Sequence, residues 1–385
     1  MAASSSVAEL LKRLIAFDTV SRNSNLKLIE FAADILENAG AKLRLTHDEK
    51  AVKANLFATL GPERDGGYVL SGHTDVVPVD GQNWSSDPFG ADMRDNRVYG
   101  RGAADMKGFI ATSLSLAAEF AALDLKRPLH FAFSFDEEVG CIGVRRLLDD
   151  LKKAGVKPAL AIIGEPTSMR VVAAHKAGAV IETVAKGREG HSSDPARGAS
   201  AVMMAGEFIG SLASLGEELM TDRDEHFEPP YTTIQANMMS GGTAVNMLAR
   251  EAKVLWEYRA LPDRDIASII TRAKAHAAAI LQRYQSGAPE ATFATHIHAD
   301  YPGLVRDPNS SAVQLACALS GSNDLHAVSY GTEAGLFQEA GIPAAVCGPG
   351  SIVQAHKADE FIDLDQIDSC AAFLRRLAQR ATLSR

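Results

Sequence analysis

The stretch "LSGHTDVVPVD" (residues 70–80) ends an apolar run with two polar residues, His73 and Asp75. Residues two apart in a strand point to the same side of a sheet, so the strand is expected to carry an imidazole and a carboxylate together at its end. Such a pair is either a satisfied pair within the core or a metal ligand with its supporting carboxylate. The rest of the chain decides between these two interpretations.

The composition excludes several classes of protein. The chain has 385 residues, 46% of them hydrophobic and 23% charged, which is typical of a globular protein large enough for two domains. Its net charge of −9 argues against nucleic acid or an anionic membrane surface as the partner. Four cysteines without a C-x-x-C pair, no signal-peptide core and no membrane-spanning apolar run lead us to expect a cytoplasmic protein.

Short apolar runs predict the strands of the larger part of the protein. They lie at 68–77, 129–135, 159–165 and 343–348, and their continuous hydrophobicity is typical of strands buried on both faces. Helical patterns lie between them, the longest at 105–123. This alternation predicts an α/β fold with a mainly parallel mixed sheet flanked by helices.

The pattern changes after residue 176. From 177 to 298 the order of elements is β-α-β-β-α-β, which predicts a small α+β domain with two helices on an antiparallel sheet. The α/β pattern then returns. We therefore expect a discontinuous domain of residues 1–176 and 299–385, interrupted by an inserted domain at 177–298.

Acidic residues and histidines recur near the ends of the predicted strands. Each one alone is more often structural, since a strand-end aspartate usually caps a helix and a paired glutamate is usually solvated. Together, two histidines and several carboxylates suit a hydrolytic pair of zinc ions with one bridging carboxylate. The candidates are His73, Asp105, Glu137, Glu138, Glu165 and His356.

Six stretches occur in the order known from one family. The chain resembles the di-zinc deacylases that include acetylornithine deacetylase, succinyl-diaminopimelate desuccinylase, aminoacylase and glutamate carboxypeptidase. The resemblance implies a zinc-peptidase-like catalytic domain and an inserted lid and dimerisation domain. The stretches are "SGHTDVVP", "GRGAADMKG", "FSFDEEVG", "IIGEPT", "GREGHSS" and "QAHKADEFI".

The resemblance also implies a set of metal ligands. His73 and Glu165 would hold one Zn²⁺, and Glu138 and His356 would hold the other. Asp105 would bridge the two ions. Co²⁺ can substitute for zinc in such sites.

Five further residues receive roles from the same resemblance. Asp75 would hydrogen-bond the first imidazole, and Glu137 would be the general base for the attacking water. His191 would stabilise the oxyanion, in related enzymes from the partner subunit. Asn246 and Arg259 would bind the substrate carboxylate, for which the planar guanidinium of arginine is suited.

Within the family, "YGTEAGLF" and "CGPGSIVQAHKADEFI" look most like acetylornithine deacetylase. This implies hydrolysis of N2-acetyl-L-ornithine to L-ornithine and acetate, in arginine biosynthesis, by a homodimer joined through the inserted domain. The alternatives are another N-acyl-amino-acid deacylase, the desuccinylase, and a metallopeptidase for dipeptides. A catalytically silent relative that binds amino-acid derivatives or a protein partner is the alternative of a different class.

Overall fold

The computed structural model describes residues 2–383, and they form two compact units. The larger unit comprises the chain up to Ala174, Arg306–His326, and the chain from Thr332 onward. The inserted unit comprises His175–Val305 and the short segment Ala327–Gly331. The inserted unit is thus longer than the interval at 177–298, and it takes a second segment from a region that the sequence pattern assigned to the α/β part.

The described part of the chain contains ten α-helices. They are α1 (Ala2–Ile15), α2 (Leu26–Asn38), α3 (Gly108–Ser115), α4 (Ala117–Ala121), α5 (Ile142–Ala154), α6 (Ala201–Leu219), α7 (Ala267–Tyr284), α8 (Ser311–Ser320), α9 (Ala334–Glu339) and α10 (Leu364–Ala381).

The strands follow the same chain order. They are β1 (Lys42–His47), β2 (Ala54–Leu60), β3 (Tyr68–His73), β4 (Asp92–Arg94), β5 (Arg97–Tyr99), β6 (Leu129–Ser134), β7 (Leu160–Pro166), β8 (Val171–His175), β9 (Ala177–Lys186), β10 (Gly190–His191), β11 (Thr233–Gly241), β12 (Met247–Leu248), β13 (Glu251–Ala260), β14 (Thr292–Tyr301), β15 (Leu325–Val328), β16 (Ala344–Gly348) and β17 (Phe361–Asp363).

An eight-stranded mixed sheet forms the centre of the larger unit. Its order is β1-β2-β6-β3-β7-β16-β8-β15, and the four central strands β6, β3, β7 and β16 run parallel. Strands β1, β2 and β8 pair antiparallel with their neighbours. The predicted α/β fold with a mainly parallel mixed sheet is therefore confirmed, and parallel strands bring their carboxyl ends to one edge, where α/β proteins place their sites.

The continuous apolar runs predicted the central strands because these strands are covered on both faces. Every residue of β3, β6 and β7 is buried. Gly164 in β7 shows how closely a helix approaches, since a Cβ atom there would lie 2.0 Å from the Phe109 ring of α3. Only glycine fits this contact, which brings the helix that follows the Asp105 turn against the strand that carries Glu165.

The inserted unit has the predicted β-α-β-β-α-β order, with the short strands β10 and β12 added. Its antiparallel sheet has the order β11-β13-β9-β14. Strand β13 alternates between buried and more exposed residues, as expected when helices cover one face. Trp256 from β13 packs edge-on against Phe208 of α6, and its indole N–H donates to the Thr183 hydroxyl at 3.0 Å.

One helix prediction was wrong in detail. The predicted helix at 105–123 is divided, because an irregular turn at 103–107 precedes α3, and Asp105 has the non-helical angles φ −122° and ψ 90°. Among residues 2–383, no helix is long and apolar enough to cross a membrane.

Candidate metal centre

His73 is the last residue of β3, and its side chain is 1% exposed. Its Nδ1 lies 2.9 Å from the main-chain carbonyl of Asp75. A carbonyl can only accept, so Nδ1 carries a proton, and in the neutral imidazole the lone pair is therefore on Nε2. The main chain thereby fixes the imidazole tautomer that a metal ligand needs.

Asp105 lies in the turn before α3 and faces both candidate histidines. Its Oδ1 is 3.1 Å from His73 Nε2, and its Oδ2 is 3.3 Å from His356 Nε2. The two oxygens of one carboxylate are therefore divided between two imidazoles, the arrangement expected of a bridging ligand.

The two expected glutamate ligands each lie beside a different histidine. Glu165 in β7 has its Oε1 3.6 Å from His73 Nε2. Glu138, which follows β6, has its Oε2 3.1 Å from His356 Nε2. The five expected ligands therefore form two groups that share Asp105.

The Asp75 carboxylate differs from the sequence-based expectation. Its Oδ1 stays 3.7 Å from His73 Nδ1, within ion-pair range, while the short hydrogen bond to the imidazole uses the main-chain carbonyl. Asp75 also lies beyond the end of β3, so the alternation of a strand does not set its direction. Its carboxylate instead accepts the N–H groups of Glu137 at 3.0 Å and Glu138 at 3.3 Å, and the Ser21 hydroxyl at 2.7 Å. Asp75 thus orients the main chain of both glutamates.

Glu137 lies beside the two ligand groups. Burial raises the pKa of its carboxyl well above the usual value, and the charge of Glu138 adds to this, against the charge of His73. The Cys141 thiol donates to Glu137 Oε1 at 3.4 Å. Within a different grouping, by mutual distance alone, the ligand atoms of His73, Glu137 and Glu165 all lie within 4.8 Å of one another. The same holds for His73, Asp105 and Glu138.

The surrounding carboxylates raise the pKa values of both histidines. Burial alone would lower the pKa of His73, but the charge of Glu165 and the hydrogen bond to Asp105 raise it well above the usual value. The hydrogen bonds that the His356 imidazole donates to Asp105 and Glu138 raise its pKa to about 10. Both imidazoles are therefore positively charged in the metal-free protein, and these charges balance part of the negative charge of the acidic cluster.

The donor set fits a pair of zinc ions. Imidazole and carboxylate are zinc ligands, and two donors about 2.0–2.1 Å from a tetrahedral ion lie roughly 3.3 Å apart. The distances from His73 and His356 to their carboxylate neighbours run from 3.1 to 3.6 Å. The two imidazoles are also surrounded by five carboxylates, those of Asp75, Asp105, Glu137, Glu138 and Glu165. This excess of negative charge is costly at low solvent exposure unless cations balance it.

Sequence reasoning missed one acidic residue beneath this cluster, Glu333 in "YGTEAGLF". It is 1% exposed and accepts hydrogen bonds from the hydroxyls of Ser71 and Ser134. Burial raises the pKa of Glu333 to about 7, against the hydrogen bond from Ser134 and the charge of His73. The motif was noted only for its likeness to one subfamily, and a lone acidic residue before a helix gives no local signal of such a position.

Three expected site residues lie in the inserted unit. The N–H of Ser193 donates to His191 Nδ1 at 3.2 Å, which leaves Nε2 to carry the proton of a neutral imidazole. The exposed Asn246 lies next to this loop, because its carbonyl accepts the Ser192 N–H at 3.1 Å. Arg259, near the end of β13, donates to Glu257 at 3.1 Å and to the Tyr301 hydroxyl. The structure therefore brings His191 and Asn246 together.

The fold and the two ligand groups define a metal-dependent hydrolase. Residues 69–380 match peptidase family M20/M25/M40, and the chain belongs to this family. The expected membership of a metal-dependent deacylase and peptidase family is thereby confirmed.

Curated relatives extend over nearly the whole chain. The acetylornithine deacetylase of Pasteurella multocida is 35% identical over 382 residues, 97% of each chain. The acetylornithine deacetylase of Myxococcus xanthus is 35% identical over 373 residues, 95% of each chain.

Solved structures share the fold at low sequence identity. The M20 family metallo-carboxypeptidase of Sulfolobus solfataricus has a TM-score of 0.77 and 17% identity, with 97% of this chain and 98% of that chain covered. A Bacillus subtilis protein described as a dinuclear metal-binding peptidase of the M20 family has a TM-score of 0.69 and 17% identity, with 98% of each chain covered.

The two protonated imidazoles are expected to stabilise the metal-free protein less as the pH rises. His356, with a folded pKa of about 10, and His73 hold protons that the unfolded chain releases near pH 6.5, so their stabilisation is complete below that pH and is lost above it. The raised pKa of Glu137 acts in the same direction from its usual 4.5 upward. Thermal unfolding of chelator-treated protein from about pH 6.5 to 9 checks this. Relative to the parent, His356→Gln should have a midpoint that falls less over this range, and the same pH dependence in both proteins would contradict the expectation.

Proposed function

We propose that the protein hydrolyses N2-acetyl-L-ornithine to L-ornithine and acetate at a centre of two zinc ions. The observation that carries the metal centre is the position of Asp105, whose two carboxylate oxygens face different histidines. The support for the substrate is the name shared by relatives that align over nearly the full chain. On this proposal the protein is a cytoplasmic enzyme of arginine biosynthesis, and Co²⁺ can replace zinc.

The five ligands divide as the two groups suggest. His73 and Glu165 would hold one ion, Glu138 and His356 the other, and Asp105 both. When bound, the ions polarise the amide carbonyl and lower the pKa of water towards about 7. The His73 tautomer supports this assignment, because Nδ1–H donates to the Asp75 carbonyl and Nε2 is left as the ligand atom beside Asp105 and Glu165.

Glu137 is the general base of this proposal. It takes a proton from the attacking water and later passes it to the leaving amine. A base for this task needs a pKa near the working pH, and burial raises the pKa of Glu137 in that direction. The hydrogen bonds from the Glu137 N–H to Asp75 and from the Cys141 thiol to Glu137 hold the residue in place.

The inserted unit contributes the remaining groups. We assign His191 to the developing oxyanion, because Ser193 directs the Nδ1 lone pair and leaves Nε2–H as a donor. Such a donor contributes roughly 3–4 kcal/mol to transition-state stabilisation. Asn246 and Arg259 bind the substrate carboxylate, for which Arg259 offers a planar fork of N–H donors.

The inserted unit also joins two copies of the chain. Its sheet has two edge strands, β11 and β14, and edge strands can pair with another chain. Large apolar side chains near these edges are exposed, including Met238 at 65% and Ile297 at 50%. Exposed apolar surface of this kind favours a homodimer, in which the inserted unit also serves as a lid.

A panel of substrates tests the proposed function. Zinc-loaded protein is expected to hydrolyse N2-acetyl-L-ornithine with a higher kcat/KM than N-succinyl-diaminopimelate, N-acetyl-methionine or a dipeptide. A preference for the succinyl substrate would make the protein a desuccinylase, and a preference for the dipeptide would make it a peptidase. No turnover of any of the four by metal-loaded protein would favour the silent binding relative.

The adjacent glutamates are expected to respond differently to amide substitution. Glu137→Gln should keep two zinc ions for each chain and lose roughly 10²–10⁴-fold in kcat, because only the proton acceptor is removed. Glu138→Gln, the matched control, should lose zinc, because it removes a ligand. Metal analysis and steady-state kinetics check both variants. Loss of zinc from Glu137→Gln with retention in Glu138→Gln would reverse the two roles.

Mixed dimers test whether His191 acts across the subunit interface. His191→Ala and Glu137→Gln are each expected to be nearly inactive with their metal content intact. In a heterodimer of the two variants, one site regains both groups if His191 serves the partner, so activity should return to about half of the parent level. Verified heterodimers that stay inactive would mean that His191 serves its own subunit or only the fold.

A further inference from the structure

A buried carboxylate behind the Asp105 turn has no part in the proposed chemistry. Glu360 is 1% exposed. Its Oε1 accepts the N–H groups of Ala104 at 2.9 Å and Asp105 at 3.0 Å. Its Oε2 accepts the Gly102 N–H at 3.1 Å and Arg101 Nη1 at 2.7 Å. Three backbone N–H groups of one short turn therefore converge on one carboxylate, an arrangement that suits an anion.

Glu360 is itself held on both sides. Strand β17 begins at the next residue, Phe361, and pairs with Tyr99 at the end of β5. The main-chain carbonyl of Glu360 accepts the Gly100 N–H at 2.9 Å. The strand pairing thus places the carboxylate against the turn that follows β5.

The same contacts reach the loop of His356. Arg101, also 1% exposed, donates to Glu360 and to the main-chain carbonyl of Lys357 at 3.2 Å. The Gln82 side chain accepts a hydrogen bond from Arg101 and donates to the main-chain carbonyl of His356 at 2.9 Å. One network therefore fixes the backbone of two expected ligands that lie far apart in the sequence.

We propose that Glu360 is a positioning residue for the metal centre, which holds Asp105 where its two oxygens reach both His73 and His356. This inference rests on the metal centre of the proposed function. A plain buried ion pair would need only the contact between Glu360 and Arg101. Here three of the four donors to the carboxylate belong to the backbone of the turn, so the carboxylate determines the shape of that turn.

Glu360→Gln removes this support with little change in size. The amide keeps one acceptor oxygen and places N–H donors where the second oxygen accepted two hydrogen bonds, so two donors lose their acceptor. Partners that orient metal ligands typically account for about 10–100-fold in metal affinity. We expect a loss of that size for zinc in Glu360→Gln, with an altered absorption spectrum of the Co²⁺-substituted protein.

The experiment is a cycle of four proteins: the parent, Glu360→Gln, Asp105→Asn and the double variant. Each is stripped of metal and titrated with zinc in competition with a chromophoric chelator. If Glu360 acts through Asp105, its substitution should weaken binding in the parent and change little in the Asp105→Asn background. Equal losses in both backgrounds would overturn the inference.

A second pair of variants decides the matter if Glu360→Gln does not fold. Gln82→Ala removes the half-buried outer end of the network, and Asn83→Ala is its exposed neighbour and matched control. We expect Gln82→Ala to lower zinc affinity several-fold with a small fall in thermal midpoint, because the buried Arg101 loses an acceptor, and Asn83→Ala to change neither. Equal zinc affinities for the two variants would then overturn the inference.

The outcomes separate this inference from the proposed function. If Asp105→Asn binds two zinc ions as tightly as the parent, the metal centre itself is misassigned. If Asp105→Asn loses zinc while folded Glu360→Gln keeps the parent affinity and Co²⁺ spectrum, the centre stands and only the role of Glu360 fails.

Discussion

The electrostatic cost of gathering acidic side chains away from water governs the architecture around β3. Two imidazoles and five carboxylates meet there, those of His73, His356, Asp75, Asp105, Glu137, Glu138 and Glu165. Of these, His73, Asp105 and Glu165 are nearly inaccessible to solvent. Burial raises the free energy of each charged group unless a hydrogen bond or an opposite charge stabilises it. The surrounding main chain provides such hydrogen bonds, from N–H groups to Asp75 and from His73 to a carbonyl. Bound cations would complete the balance.

The parallel sheet makes this gathering possible. Strands β3, β6 and β7 are neighbours that run in the same direction, so His73, the glutamates after β6, and Glu165 arrive at one end of the sheet. The close approach of Phe109 to Gly164 brings α3 against β7 and thereby places the turn of Asp105 beside them. Packing of apolar residues, which carries no chemical information, thus sets the positions of the polar ones.

The sequence predicted those features that leave a local pattern. Continuous apolar runs marked the central strands, and the motifs named five expected ligands whose side chains the structure brings together. It did not predict the turn at 103–107, because the apolar residues that follow Asp105 read as one helix. Contacts between segments that lie far apart in the sequence could not be predicted either. Glu360 lies 255 residues from Asp105, and neither its burial nor its four donors could be inferred from neighbours in the chain. For His73, the alternation rule favoured a carboxylate partner where the main chain provides the hydrogen bond.

The path of the chain between its two units has a consequence for modularity. The inserted unit takes up Ala327–Gly331 in addition to its long segment, and Ser329 donates to the carbonyl of Glu228 at 2.6 Å while Lys176 donates its N–H to Val328. The polypeptide therefore passes between the units four times. A chimera that exchanged only the long segment would leave these hydrogen bonds to a foreign sequence. Recombination between relatives should thus conserve both pieces together, and transplantation of the unit requires two grafts.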